Sequence, residues 1–315
     1  MWTIARKELA DQFGSIRFLL LFSLILMVAL ITSYISATHI REALEGVTKP
    51  SHVFLLMFTV PGKFISLTQF IAFFGPLLGI IMGFDAINRE RQHRTLSKLL
   101  SQPIYRDDVV NGKFLAGIIT VSIAVVSMVL LVTGMGLLTV GVEPGPEEIG
   151  RLLIYLVVTV AYVSFWLGLA ILFSILFRSL ATSALAAIAL WVFFSFFIGF
   201  AADLVANAVS PVDNPQDVEQ VVAHDRARET ASLASPAVLY SQATGAILDP
   251  FQRSRTGVMV LGFMEQLSME RFQSPLSLDQ SLLVVWPYLT LLVGVTLAVF
   301  WLAYAIFMRQ EVRAV

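Results

Sequence analysis

The stretch LLIYLVVTVAYVSFWLGLAILFSILF, from Leu152 to Phe177, contains no acidic, basic or histidine side chain. The hydrocarbon core of a bilayer is about 30 Å thick, and an α-helix of roughly 20 apolar residues can cross it. An open strand there would leave amide groups unpaired in lipid, which costs several kcal/mol for each group. This stretch therefore predicts a transmembrane helix.

Five further uncharged runs of similar length occur in the chain of 315 residues. They extend over Phe18–Ala37, Phe64–Phe84, Phe114–Val140, Leu180–Ala202 and Leu282–Met308. The chain is 57% hydrophobic and 14% charged, with a mean hydropathy of +0.81, whereas soluble proteins are roughly 25% charged. The sequence therefore predicts an all-α integral membrane protein with six transmembrane helices in a lipid bilayer.

Two features of the composition exclude whole classes of function. The chain has no cysteine, which rules out disulfides, thiolate metal sites and a cysteine nucleophile. Its formal net charge of -1 provides no overall attraction for nucleic acid. We therefore expect no nucleic-acid partner and no metal site built from thiolates. We further expect no other metal site and no cofactor in this chain.

Basic residues are distributed unevenly between the two sides of the predicted bundle. Twelve Lys and Arg residues lie on the side that carries both termini, whereas four lie in the short loops of the other side. Short loops rich in Lys and Arg stay in the cytoplasm. Both termini are therefore expected in the cytoplasm, with the protein in the cell (inner or plasma) membrane.

The residues before the first run predict a helix of a different kind. Residues 1–17 place apolar side chains three and four positions apart, with charged side chains between them. This pattern predicts a helix that lies in the cytoplasmic interface of the membrane. Its apolar face would comprise Trp2, Ala5, Leu9, Phe13 and Ile16.

The segment 203–281 is too long to be a simple connection between two spans. It is rich in apolar side chains, which favours a folded helical cap on the extracytoplasmic side over a disordered linker. One helix is expected to open at Asn214-Pro215 and another to lie around Gly257 to Arg271. The rest of the chain then divides into 18–202 for spans 1 to 5 and 282–315 for span 6 and its tail.

The six runs contain no carboxylate, histidine, lysine or arginine side chain. Ion-coupled carriers usually have an ionisable residue at membrane depth, so the energy for transport is expected from outside the membrane. The phosphate-binding pattern G-x-x-x-x-G-K-[ST] is also absent, since Gly62-Lys63 and Gly112-Lys113 lack its other residues. Any ATPase would therefore be a separate chain, and this chain is not expected to be an enzyme.

An intramembrane hydrolase of the glutamate type is the alternative interpretation. Glu147-Glu148 followed by Arg151 is similar to the EExxxR motif of such proteases, with a spacing one residue short. Acidic residues just after a proline are also typical of the first turn of a helix. The simpler interpretation thus predicts a helix that begins at Pro146.

Two further patterns lie in and after the second run. Gly75, Gly79 and Gly83 follow one another at four-residue spacing, which predicts a helix-packing face. The stretch DAINRERQHRTLSKLLSQPIYRDDVVNGK, residues 85–113, is dense in charge but carries an apolar stripe that ends before Pro103. We interpret it as an amphipathic cytoplasmic segment that can bind another protein.

This stretch resembles the permease subunits of ABC transporters of the ABC-2 type, in their NosY-like branch. Their cytoplasmic signature is similar to E-R-x-x-G-T-L-x-x-L-L-x-x-P-x-x-R followed by a Gly-Lys pair. The matching residues are Glu90, Arg91, Thr95, Leu96, Leu99, Leu100, Pro103, Arg106, Gly112 and Lys113. Arg94 replaces the usual glycine, while the opening I-A-R-K-E-L, Ile4 to Leu9, also resembles the family.

The resemblance implies an exporter in which two copies of this permease, a homodimer, bind two copies of an ABC ATPase that holds ATP and Mg. Segment 85–113 would contain the coupling helix, and ATP binding and hydrolysis would drive alternating access or mechanical transmission. Leu96, Leu99 and Leu100 are expected to dock on the ATPase, while Glu90, Arg91 and Arg94 pair with its surface. The resemblance identifies no cargo, and the extracytoplasmic segment would either gate an apolar cargo or dock a partner protein.

Overall fold

The part of the chain that the structure describes contains six membrane-length helices, as the sequence predicts. The computed structural model describes residues 1–43, 53–59, 66–92, 105–141, 143–212, 217–249 and 276–310. Within these residues, six helices are long and apolar enough to cross a membrane. We number them spans 1 to 6: Ile16–Glu42, Leu67–Gln92, Arg106–Val140, Pro146–Leu176, Leu180–Val209 and Leu278–Arg309.

The ends of the spans follow local sequence signals. Span 4 begins at Pro146, as predicted, and the Glu148 carboxylate accepts a hydrogen bond from the Gly145 amide at 2.7 Å. A carboxylate in this position satisfies an amide that the first helical turn leaves without a partner. Span 3 ends at Val140, and the next residue, Gly141, has a φ of 65°, in the left-handed region that glycine adopts without strain.

Span 4 is the centre of the bundle and contacts spans 2, 3, 5 and 6. The three glycines of span 2 face it closely. A β-carbon on Gly79 would lie 2.6 Å from the Val163 carbonyl oxygen, and one on Gly83 would lie 2.7 Å from the Leu167 carbonyl oxygen. Because backbone atoms cannot move aside as a side chain can, spans 2 and 4 approach to a distance that only glycine permits.

A proline in span 2 leaves a backbone carbonyl without its helical donor, and span 4 supplies a substitute. Pro76 has no N–H to donate to the carbonyl of Ala72, four residues earlier. The Tyr162 hydroxyl donates a hydrogen bond to that oxygen at 2.6 Å. The interior of the bundle thus satisfies the backbone group that the proline exposes, as a lipid environment requires.

The segment between spans 5 and 6 does not lie wholly outside the bundle. A first helix, Val218–Ser232, packs alongside Ile198–Val209, where Arg228 Nε lies 2.5 Å from Asp203 Oδ1. The next helix, Pro236–Leu248, contacts spans 2, 4 and 6 and is largely buried. We call Pro236–Leu248 the re-entrant helix.

Two contacts show how deeply the re-entrant helix enters the bundle. The Ser235 hydroxyl lies 3.4 Å from the Phe194 carbonyl in the middle of span 5, and the Tyr240 ring stacks on Tyr162 at 4.4 Å between centroids. Tyr162 lies about 24 Å along span 4 from Pro146, at 1.5 Å per residue. The segment is therefore partly an internal element and not only a cap.

Two helices were expected within this segment, and the structure describes only one of them. The first helix begins at Val218 with Asp217 as its N-cap, a few residues after the expected opening at Asn214-Pro215, which lies outside the described residues. The helix expected around Gly257 to Arg271 also lies outside the described residues. Ser235 is the N-cap and Pro236 the first residue of the re-entrant helix, a position that proline often takes.

The amino-terminal helix, Trp2–Phe13, packs on the beginning of span 3. Its buried residues are Ile4 and Ala5, whereas Trp2 is 58% exposed and Phe13 is 38% exposed. Gln12 lies on the same side of this helix as Ile4, and its side-chain oxygen accepts a hydrogen bond from the Thr120 hydroxyl. The face of this helix that packs on the bundle therefore contains both apolar and polar side chains. Most of the predicted apolar face points away from the bundle.

Candidate functional site

Three of the expected coupling residues, Glu90, Arg91 and Arg106, lie at the end of the bundle that carries both termini. Glu90 and Arg91 belong to the short helix Asn88–Gln92 at the end of span 2, and Arg106 begins span 3. The other expected residues lie outside the described residues: Arg94, Thr95, Leu96, Leu99, Leu100 and Pro103. The structure thus describes both flanks of the candidate coupling segment, and we name its undescribed part, 93–104, the linker.

One flank is fixed by a buried ion cluster around Lys113. Its side chain is 5% exposed, and its Nζ lies 2.8 Å from Glu8 Oε1 and 3.0 Å from Glu90 Oε1. A buried charge is stable only when it is paired and hydrogen-bonded. The cluster therefore joins the amino-terminal helix, the end of span 2 and the beginning of span 3.

The place of Glu90 differs from the expected pairing with an ATPase surface. Glu90 is 8% exposed and its carboxylate points to Lys113, inside the chain. The sequence could not show this, because Lys113 lies beyond the linker and Glu8 belongs to another helix. Glu90 is thus an anchor of the flank in this structure.

The residue before Lys113 explains how the amino-terminal helix comes so close. A β-carbon on Gly112 would lie 3.0 Å from the Ile4 side chain and 3.2 Å from the Met1 carbonyl oxygen. Glycine removes that obstruction, and the neighbouring lysine supplies the ion pair. The Gly-Lys pair that resembles the family signature is therefore a docking point for the amino-terminal helix.

The second anchor connects both flanks of the linker to spans 4 and 6. Arg91 donates hydrogen bonds to the Ile175 carbonyl at 3.1 Å and to the side-chain oxygen of Gln310. Arg106 donates to the backbone carbonyl of Gln310 at 3.0 Å. Gln310 in turn donates from its side-chain amide to the Ile175 carbonyl at 3.1 Å.

The short helix that carries Arg91 is also held by span 4. The Ser174 hydroxyl accepts hydrogen bonds from the backbone amides of Ile87 and Asn88, at 3.0 and 3.1 Å. These amides belong to the first turn of a helix, where no internal partner exists. Ser174 is itself fully buried, so the flank has a fixed position against span 4.

A polar cavity of about 240 Å³ lies beside the Lys113 cluster. It opens between the amino-terminal helix, the beginning of span 1 and the end of span 2, and Arg17 lies 3.3 Å from Asp85 there. Its charged lining consists of Lys7, Glu8, Asp11, Arg17, Asp85, Arg89, Glu90 and Lys113. A cavity of this size and polarity is large enough to hold water, while the Lys113, Glu8 and Glu90 side chains themselves stay mostly buried beside it.

The opposite end of the bundle contains a second buried cation, Arg151, which is fully buried. Its guanidinium donates to the Ile247 carbonyl at 2.8 Å, to the Ser281 hydroxyl at 3.0 Å and to the Leu276 carbonyl at 2.5 Å. It also pairs with Glu147 at 2.9 Å. Arg151 therefore joins span 4, the end of the re-entrant helix and the beginning of span 6.

The two acidic residues of the hydrolase-like motif, Glu147 and Glu148, lie in the same region. The Glu148 carboxylate accepts hydrogen bonds from the backbone amides of Phe54, at 3.1 Å, and Gly145. Glu147 pairs with Arg151. Both acids thus have structural partners at a helix start, and within the described residues no group of three or more His, Asp or Glu side chains could hold a metal ion.

Gln310, Glu8 and Ser174 are the site residues that sequence reasoning missed. Each lies far along the chain from its partner: Arg91 and Gln310 are 219 positions apart. No periodicity or spacing indicates such a pair. Lys113 was recognised only as part of a signature, and its burial between two carboxylates comes from the fold.

The sequence is similar to known transporter proteins along its length. The family described as ABC-2 family transporter protein matches residues 2–312. A protein of Stutzerimonas stutzeri named probable ABC transporter permease protein NosY is 28% identical over 318 residues, covering 98% of each chain. A protein of the same name from Pseudomonas aeruginosa is 36% identical over 115 residues, which are 36% of this chain and 38% of that relative.

Proposed function

Because this chain belongs to the ABC-2 family of transporter proteins, and is thus the multi-pass permease subunit of an ABC transporter, we propose that ATP drives it through the linker. In this proposal a separate ATPase, in two copies, binds two copies of this permease. ATP binding moves the linker, and hydrolysis returns it. The movement either changes access to a path for an exported cargo or transmits mechanical work across the membrane.

The observation that carries the proposal is the fixed attachment of both flanks of the linker. Glu90 is held to Lys113, while Arg91 and Arg106 are held to Gln310. A force on a segment whose ends are free would only deform that segment. A force on the linker would instead reach four spans, because its two anchors contact spans 2, 3, 4 and 6.

The proposed orientation places this end of the bundle in the cytoplasm, where ATP is available. It rests on the excess of Lys and Arg on the side of the termini. A tag placed after Val315 should react with a reagent only when the cytoplasmic face is open, and a tag at Arg226 only from outside. The reverse pattern would contradict the proposal.

The decisive experiment tests docking by the linker. Leu99 and Leu100 are replaced by Asp in the full chain, which is purified together with its ATPase. We expect the ATPase to be lost from the complex while the permease keeps its melting temperature, because apolar side chains facing water are retained where a partner covers them.

The matched control places the same change at the other end of the molecule. Val218 is 56% exposed there, and Val218→Asp should leave the ATPase bound. Retention of the ATPase by the Leu99→Asp and Leu100→Asp double variant, with full ATP hydrolysis, would refute the docking role of the linker. Loss of the ATPase from both proteins would show that the effect is not specific to the linker.

A further inference from the structure

Gln310 makes an unusual set of contacts for a residue just past the end of a span. Its side-chain oxygen accepts from Arg91, its side-chain amide donates to the Ile175 carbonyl, and its backbone carbonyl accepts from Arg106. Arg91 precedes the linker and Arg106 follows it. One residue at the end of span 6 therefore contacts both ends of the linker and the end of span 4.

The chemistry of glutamine suits this position. Two guanidinium groups approach the same residue, and each needs an acceptor. The Ile175 carbonyl, in the last turn of span 4, needs a donor because the helix no longer supplies one. A glutamine side chain offers both a donor and an acceptor, whereas a glutamate or a lysine offers only one of the two.

We propose that Gln310 is a positioning residue that transmits movement of the linker to spans 4 and 6. This inference rests on the proposed function. The Lys113 cluster cannot replace it, because that cluster contacts the amino-terminal helix and spans 2 and 3. Spans 4 and 6 pack along each other, so a displacement delivered at Ile175 and Gln310 moves both helices together.

The position of Arg151 extends this path to the opposite end of the molecule. Span 4 and the beginning of span 6 meet again there, where Arg151 binds the Leu276 carbonyl and the Ser281 hydroxyl. Spans 4 and 6 are thus fastened to each other at both ends. A movement introduced at Gln310 reaches the outer end of span 6 without passing through spans 1, 3 or 5.

The experiment measures movement at the outer end. Because the natural sequence contains no cysteine, spin labels attach only at the introduced positions. Cysteines are introduced at Val218 and Leu283, which are 56% and 77% exposed, and are spin-labelled. The complex with the ATPase is reconstituted in lipid nanodiscs. The distance between the labels is measured with and without ATP, together with the rate of ATP hydrolysis.

Two substitutions at position 310 separate positioning from folding. Gln310→Ala removes the side chain, and Gln310→Met keeps its length without its polar atoms. We expect both variants to hydrolyse ATP and to hold the ATPase, while the ATP-dependent change in distance falls roughly threefold or more. Arg309→Ala, at the exposed neighbouring position, should behave as the unsubstituted complex.

Each result has one meaning. An undiminished distance change in Gln310→Met, with unchanged hydrolysis and melting temperature, would overturn the inference and leave the proposed function standing. An unsubstituted complex that binds no ATPase, or whose outer end does not respond to ATP, would overturn the proposed function and the inference with it. Loss of the distance change in Gln310→Met at an unchanged melting temperature would support the inference.

Discussion

The two ends of the helical bundle hold their buried cations in different ways. At the end that carries the termini, Lys113 lies between two carboxylates, Glu8 and Glu90, which are themselves mostly buried. At the opposite end, Arg151 binds two backbone carbonyls and a hydroxyl, and its carboxylate partner among the described residues, Glu147, is 42% exposed. One end is joined by charge pairs, and the other by capping of helix ends.

The difference predicts where the chain is sensitive to the loss of a charge. Without Lys113, two carboxylates would remain in a poorly solvated place. Without Arg151, the remaining groups would be neutral carbonyls and one acid that water already reaches. A buried charge without a partner costs more than a buried carbonyl without one, so the end that flanks the linker depends more strongly on its cation.

The largest effect is expected for Lys113→Met. Because Glu8 and Glu90 would stay buried without a counter-charge, the free energy of unfolding should fall by about 3–5 kcal/mol. Thermal unfolding of the purified permease in detergent measures the change. Adding Glu8→Gln and Glu90→Gln to Lys113→Met should recover part of the loss, and a Lys113→Met variant as stable as the original would contradict the account of this end.

A smaller loss of about 1–3 kcal/mol is expected for Arg151→Met, since buried acceptors would lose their donor but no buried charge would remain. The same unfolding measurement applies. Glu147→Ala serves as the control and should cost less, because the carboxylate is partly exposed. If Arg151→Met destabilises the protein more than Lys113→Met does, the contrast between the ends is reversed.

Between the two ends, Tyr162→Phe should cost about 1 kcal/mol, the typical net value of one hydrogen bond. It leaves the Ala72 carbonyl, already deprived of its helical donor by Pro76, without a partner. Tyr240→Phe is the comparison, because the Tyr240 hydroxyl makes longer contacts of 3.1 and 3.4 Å with Thr159 and Tyr155. Equal melting temperatures for Tyr162→Phe and the unsubstituted protein would show that the proline needs no substitute donor.

The smallest effect is expected for Arg228→Ala, which removes the ion pair with Asp203. The two side chains are 50% and 41% exposed, and pairs of this kind contribute about 0.5 kcal/mol or less. Unfolding at low and high salt measures it, with Asp203→Asn as the partner variant. A loss comparable to that of Arg151→Met would place this pair among the main structural contacts of the bundle.

Much of the fold could be predicted from the sequence, because the signals are local. The six uncharged runs correspond to the six spans, and the helix start at Pro146 is where the acidic residues indicated it. The resemblance to ABC-2 permeases is confirmed by the family match over residues 2–312. The docking roles of Leu96, Leu99 and Leu100 stay predictions, since those residues lie outside the described part of the chain.

The re-entrant helix was missed for a physical reason. Its 13 residues are too few to cross a bilayer, so a search for membrane-length runs cannot find it. Its Ser-Pro start is equally typical of a turn and of the first residue of a helix. Its packing in the tertiary structure, such as that of Tyr240 against Tyr162, shows that this segment is inside the bundle.

The sequence by itself determined the six membrane-length helices of the described residues, because the length needed to cross a bilayer and the need to satisfy every backbone amide there are met by runs of apolar residues. The tertiary structure alone decided which charges meet. Lys113 and Glu8 are 105 positions apart, and Arg91 reaches Gln310 across most of the chain. Such pairs form only when helices pack. A buried charge is destabilising unless it is paired, so the fold is stable when it brings a partner within hydrogen-bond distance.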